Sequence, residues 1–226
     1  MANKKVIYVT IFGNYDNLKN PIFKNDGYDY VLFTDEETYK AQSLSKNNFW
    51  KINVIPNIVG KESAYHTSKD IKINPEKYLL EYESSIYIDG SFSQIGDVNV
   101  FLNESDNTYQ MCRHPRRICA YEEFLICVKQ KLGDINKTSV QFDRYEKEGF
   151  PKDFGLCMGG IIARTHNEKS KRINSLWWEE ILKGSMRDQL SIPYVLWKLG
   201  EEIGFSDFEP NGIDQIFKLH SHSNVK

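Results

Sequence analysis

Two carboxylates stand out by their neighbours. Asp89 follows the apolar run Ile86-Tyr87-Ile88 and precedes Gly90-Ser91, so a strand-like segment delivers an acid to a turn. Such an acid can hold a divalent cation or a sugar hydroxyl, or it can simply cap the turn. Asp188 lies between Arg187 and Gln189 where a helix is expected to begin. A carboxylate beside a carboxamide can grip sugar hydroxyls or face a reacting anomeric carbon; an ordinary acidic helix start is the plainer reading. His114-Pro115-Arg116-Arg117 precedes Tyr121-Glu122-Glu123. Guanidinium groups beside an imidazole suit a phosphate or carboxylate, or pair with those same glutamates. Thr10-Ile11-Phe12-Gly13-Asn14-Tyr15 offers amides, a hydroxyl and an aromatic ring suited to a nucleotide, and Asp35 closes a second apolar run. Gly159-Gly160 would let a sugar or pyrophosphate approach the backbone just before Arg164-Thr165-His166-Asn167, or would serve tight packing. His220 and His222 flank Ser221 and can supply one metal ligand.

These residues need elements to carry them, and the chain alternates accordingly. Val6 to Phe12, Tyr28 to Phe33 and Phe49 to Ile55 read as strands, and Ile86 to Ile88 has the β-branched and aromatic character of a strand buried on both faces. A helix is expected from about Glu62, restarted by Pro75 as a short second helix through Tyr82. Thr108 to Arg113 and Leu156 to Ala163 read as further strands, and Ala120 to Leu132 and Asn136 to Glu148 as helices. Ile173, Leu176, Trp177, Ile181 and Leu182 share one helical face. Ser185 and Asp188 stand at capping-box spacing before a helix to Leu199 that Pro193 should kink or delay. The tail from Phe205 has no strong pattern. Strands separated by helices imply an α/β fold with a mainly parallel central sheet flanked by helices, and no repeat or linker divides residues 1–226. In such a sheet the carboxyl edge faces the ligand crevice, which is where Asp89 should lie.

Composition narrows the functions. A chain of 226 residues, 40% hydrophobic and 13% aromatic, can bury a full core. A net charge of −2 gives no global basic field, which argues against nucleic acid as the main partner. Cys112, Cys119, Cys127 and Cys157 show neither C-x-x-C nor zinc spacing and read as reduced thiols of a cytoplasmic protein. No apolar run reaches the ~20 residues of a transmembrane segment.

The order of the motifs resembles a GT-A type glycosyltransferase. More narrowly, it is similar to the glycosyltransferase-like family of plant mucilage proteins and bacterial polysaccharide loci. TIFGNYD from Thr10, YVLFTD from Tyr30, SIYIDGS from Ser85, HPRRICAYEE from His114, GGIIARTHN from Gly159 and RDQLSIPYVLWKLG from Arg187 carry the likeness. Two positions depart from the wider pattern. Asp89-Gly90-Ser91 stands where the superfamily has Asp-x-Asp, a weaker divalent site, and the basic helix offers His66, Lys69 and Lys72 where an arginine is common.

The resemblance implies transfer of a sugar from a nucleotide-diphosphate sugar donor to a glycan or glycoconjugate acceptor, with Mn²⁺ or Mg²⁺. Asp89, with His220 or His222 and the donor diphosphate, would hold one cation, Ser91 contributing indirectly. Thr10, Phe12, Tyr15, Asp35 and Gly160 would surround the nucleotide. Lys69, His114, Arg116 and Arg117 would face the phosphates, and Asp188 and Gln189 the donor sugar. A metal-dependent sugar-nucleotide hydrolase and a catalytically reduced binding module are the alternatives.

Overall fold

The computed structural model describes residues 4–103, 108–207 and 212–222. Its strands are β1 (Lys5–Ile11), β2 (Tyr28–Asp35), β3 (Lys51–Ile55), β4 (Ser84–Ile88), β5 (Phe92–Gln94), β6 (Tyr109–Arg113), β7 (Cys157–Thr165), β8 (Gly204–Ser206) and β9 (Phe217–Leu219). Its α-helices are α1 (Glu36–Ala41), α2 (Gly60–Ile73), α3 (Val98–Asn103), α4 (Ala120–Gln130), α5 (Ile135–Lys147), α6 (Glu168–Lys183) and α7 (Asp188–Leu199).

Seven strands form one sheet in the order β3-β2-β1-β4-β7-β6-β8. Neighbours pair in parallel except around β7, which runs against both β4 and β6. The sheet is therefore mainly parallel, as the motifs imply for a GT-A type transferase. The apolar run of β1 explains its central place. Val6 and Tyr8 join the core on one face, and Ile7, Val9 and Ile11 join the core on the other, as alternation along a strand requires. The first core takes Ile71 of α2, Phe142 and Tyr145 of α5, Trp177 of α6 and Leu190 of α7. The second is closed by Trp50, by Val98 and Phe101 of α3, and by Phe92 and Phe217 of a small β5-β9 sheet.

Several local expectations change. Pro75 opens only a 3₁₀ turn, Pro75–Lys77, and no helix reaches Tyr82. Proline fits the first turn, but Asn74 already ends α2 by donating its N–H to Asp70 O, and Tyr78 follows with a turn bond to Pro75 O. The capping box is absent. Arg187 is the residue preceding α7, and Ser185 Oγ accepts from Arg187 N at 3.2 Å. Pro193 sits inside α7 without ending it. Within the tail, Phe217–Leu219 form a strand: β9 pairs antiparallel with β5, Phe92 opposite Leu219 and Gln94 opposite Phe217.

Candidate active site

The carboxyl ends of β1 and β4 and the start of α7 meet α2 across the edge of the sheet. Tyr65, Lys69 and Lys72 recur at helical spacing and so share one face of α2. Lys72 is 2% exposed, with its ammonium 4.9 Å from the Tyr87 ring centre. Both lysines close on Asp188: Lys69 Nζ lies 3.0 Å from Oδ2, and Lys72 Nζ contacts the same oxygen. Burial by itself would raise the Asp188 carboxyl, but the two ammonium groups overcome it and hold the acid below the usual carboxylate range. Burial also lowers the Lys72 ammonium, against the pull of Asp188.

The surrounding fold fixes this cluster. Trp177, wholly buried on α6, donates its indole N–H to Asp188 O at 3.0 Å. Arg164 does not reach a ligand crevice. It lies buried under the end of α2, donating to Lys72 O at 2.6 Å and Ile73 O at 2.9 Å, a cation capping a helix carboxyl terminus. Gly159 leaves room for the ion pair, since a Cβ there would sit 3.1 Å from both Asp188 Oδ2 and Lys72 Nζ.

Asp89 follows β4, tied by its backbone: its N–H donates to Gly160 O, and its carbonyl accepts from Phe92 N, both at 2.8 Å. Its carboxylate has no hydrogen-bond or ion-pair partner among the described residues and is half-buried. It lies close enough to Tyr15, Tyr65, Tyr87 and Lys72 to shift all four. The Tyr65 hydroxyl is pushed up to about 12, by burial first and then by Asp188.

The tail histidines gather on the same turn. His220 N donates to Ser91 O at 2.8 Å, and His220 Nε2 is 2.8 Å from Ser93 Oγ. His222 Nδ1 pairs with buried Asp16 at 3.0 Å and its ring lies 5.1 Å from that of Tyr15. Asp16 in turn packs on Gly90, where a Cβ would come within 3.1 Å of its own. Among the described residues no three His, Cys, Asp or Glu side chains stand together as a ready metal cluster.

Other expected residues are engaged by the protein itself. Thr10 Oγ1 contacts Ser68 Oγ at 2.9 Å and Tyr87 OH at 3.3 Å. Phe12 is in the core. Asp35 accepts from Thr38 N as the cap of α1 and from Gly13 N, which steadies the turn after β1 where Gly13 and Asn14 have positive φ. The space over Gly160 is taken by Phe92, whose ring would meet a Cβ at 2.7 Å. His114 Nδ1 accepts from the backbone N–H of Arg117 at 3.1 Å, and burial and the Arg117 charge lower its pKa. Arg116 is exposed. Gln189 donates Nε2 to Glu123, which also pairs with Arg117, so the His114 segment and the Arg187 segment meet on one glutamate. Sequence reasoning left Tyr65 and Asp16 out of the site; it offered Lys72 on the basic helix without a partner, and it offered Glu123 as a partner for the arginines, as its contact with Arg117 bears out. The helical spacing of Tyr65, Lys69 and Lys72 was a usable signal; nothing local marks the bond of Gln189 to Glu123.

The TOD1/MUCI70, glycosyltransferase-like domain matches residues 1–222. The chain belongs to that family. The resemblance drawn from the motifs therefore holds across nearly the whole chain. A TOD1/MUCI70 relative, the probable hexosyltransferase MUCI70 of Arabidopsis thaliana, is 23% identical over 230 residues, which cover 89% of this chain and 38% of that protein. The chain thus spans well under half the relative's length. Among solved structures, apo mouse xyloside xylosyltransferase 1 matches with a TM-score of 0.47 and 9% identity over 88% of this chain and 83% of that one. The apo WbbM bifunctional glycosyltransferase matches with a TM-score of 0.47 and 11% identity over 86% and 38%.

Proposed function

We propose that this TOD1/MUCI70 domain transfers a sugar from a nucleotide-diphosphate sugar to a glycan or glycoconjugate acceptor, in the synthesis of a surface polysaccharide or glycoconjugate. The observation that carries this reading is the pairing of an unengaged carboxylate, Asp89, with the buried Lys69-Lys72-Asp188 cluster at one sheet edge. The name of the plant relative supports a hexose donor.

As the anomeric bond breaks, the diphosphate gathers negative charge. Two lysines against one aspartate leave a net positive charge to meet it, fixed in place before the reaction and shielded from water. Asp188 and Gln189 orient the donor sugar, and the half-exposed Tyr15 ring takes the nucleotide side. Arg116 and His114 lie on the side reached through Glu123, where an acceptor or phosphate would enter.

The residues at the Asp89 turn fit a divalent cation that the donor helps to hold. One carboxylate is free, and His220 and His222 are near but already bonded to Ser93 and Asp16, so the protein alone would hold metal weakly. When bound, Mn²⁺ or Mg²⁺ supplies further positive charge to the diphosphate, and an imidazole in the set favours Mn²⁺. Four buried thiols without a disulfide support a reducing, cytoplasmic setting.

The test is release of nucleoside diphosphate from UDP- and GDP-sugars, with and without Mn²⁺ and oligosaccharide acceptors. Acceptor-stimulated release is expected. Release indifferent to every acceptor would make the protein a hydrolase. A thermal shift with these ligands and no release at all would make it a binding module.

A further inference from the structure

Glu123 has no role in the reading above, yet it is 2% exposed in the wall between α4 and the start of α7. Four side chains converge on it, among them the Cys127 thiol, which lies 4.0 Å from Oε1. Arg117 Nε lies 2.5 Å from Oε2, Arg187 approaches Oε1 at 3.8 Å, and Gln189 donates its Nε2 to Oε1. An ionised carboxylate only accepts, so it admits one orientation of the Gln189 amide, nitrogen inward. The carbonyl Oε1 of Gln189 is then left without a partner among the described residues, on a half-buried side chain adjoining Asp188. Glu123 faces two guanidinium groups, those of Arg117 and Arg187, which hold its carboxylate in place against the Gln189 amide.

We propose that Glu123 is a positioning residue that locks the Gln189 carboxamide with its oxygen toward the donor sugar, where it accepts a hydrogen bond from one sugar hydroxyl. The site thereby selects a hexose that carries this hydroxyl, because a buried acceptor left unpaired disfavours the analogue without it. The inference rests on the transfer reading and deepens it.

The experiment compares wild type, Glu123→Gln, Gln189→Ala and the double variant on UDP-glucose, UDP-galactose and monodeoxy analogues of whichever is consumed. In Glu123→Gln an amide faces an amide, and either orientation of Gln189 finds a partner. The expected result is a fall of about 10-fold in kcat with KM for the donor changed by less than ~3-fold, and a matching loss of preference for the hydroxylated donor. The double variant should be no slower than Gln189→Ala alone, since both act through one amide. Losing Glu123 strands the Arg117 charge, so Arg117→Gln/Glu123→Gln supplies a second variant with that pair removed together, and it should show the same loss of selectivity. Unchanged donor selectivity in folded variants, or independent multiplying effects of Glu123→Gln and Gln189→Ala, would overturn the proposal. A wild-type protein that consumes none of these donors overturns the transfer reading along with it; a consuming wild type indifferent to Glu123 overturns this inference alone.

Discussion

Asp188 and Asp89 stand at one sheet edge, but Asp188 is buried between two lysines while the Asp89 carboxylate is half-buried and unengaged. The first belongs to the protein's own charge balance. The second is a carboxylate that the fold positions through its backbone alone, with its side chain left for something else. A buried ion pair that loses a partner leaves a bare charge, whereas a free carboxylate can be neutralised at little cost to the fold. Substitution should therefore separate the two: stability should follow Asp188, and activity without stability should follow Asp89.

The largest effect is expected at Asp188. Asp188→Ala strands Lys69 and Lys72 and should destabilise the protein by roughly 3–5 kcal/mol, lowering Tm by about 10 °C as well as abolishing transfer. Pairing Asp188→Leu with Lys72→Met should recover much of the Tm in a thermal melt and none of the activity. A single variant that melts like wild type would remove the contrast.

At Asp89 the expected pattern is reversed. Asp89→Asn should leave Tm within about 2 °C of wild type but cut kcat by ~100-fold, the scale of a lost electrostatic contact to developing charge. It should also remove any rise in Mn²⁺ affinity that UDP produces in calorimetry. Undiminished transfer with chelator present would hand the whole charge to Lys69 and Lys72.

A smaller, pH-dependent effect sets the background for both. His166 bonds Ser85 Oγ and Tyr82 O, and burial and then Arg164 lower its pKa to about 4. Above pH 6.5 the imidazole is neutral in both states and carries no penalty. As pH falls from 6.5 to 4 the unfolded chain binds a proton that the folded one refuses, so stability declines, by on the order of 2 kcal/mol once partial exposure is allowed for. Urea midpoints across this window should fall less steeply in His166→Gln. His114 and His220, also lowered, add slopes of the same sign.

What the sequence disclosed was local. β-branched runs marked β1, β2 and β4, and the Asp-Gly turn marked the place of Asp89, because both signals lie within a few neighbouring residues. What stayed hidden depends on pairings between distant segments. Nothing near Glu123 announces that Gln189 will bond it, and nothing in the tail announces that β9 will pair with β5. The role of Arg164 was hidden for the same reason: nothing beside it shows that the end of α2 will lie over it. Asp35 and Gly160 carry the residue types of a binding site but spend them on a helix cap and a phenylalanine ring.

The reversed strand β7 governs how the molecule is made. In the finished sheet Ile88 lies opposite Ile161 and Ser84 opposite Thr165, so β4 cannot be covered until the ribosome has produced most of the chain. At ordinary synthesis rates β4 waits on the order of ten seconds as an open edge of a nascent half-sheet. A fragment ending at Pro151 should retain that edge permanently and self-associate, and light scattering of the fragment beside the intact chain would reveal it. Low temperature and slowed translation near the β7 codons should shift the yield of soluble protein more than changes to the exposed helices do.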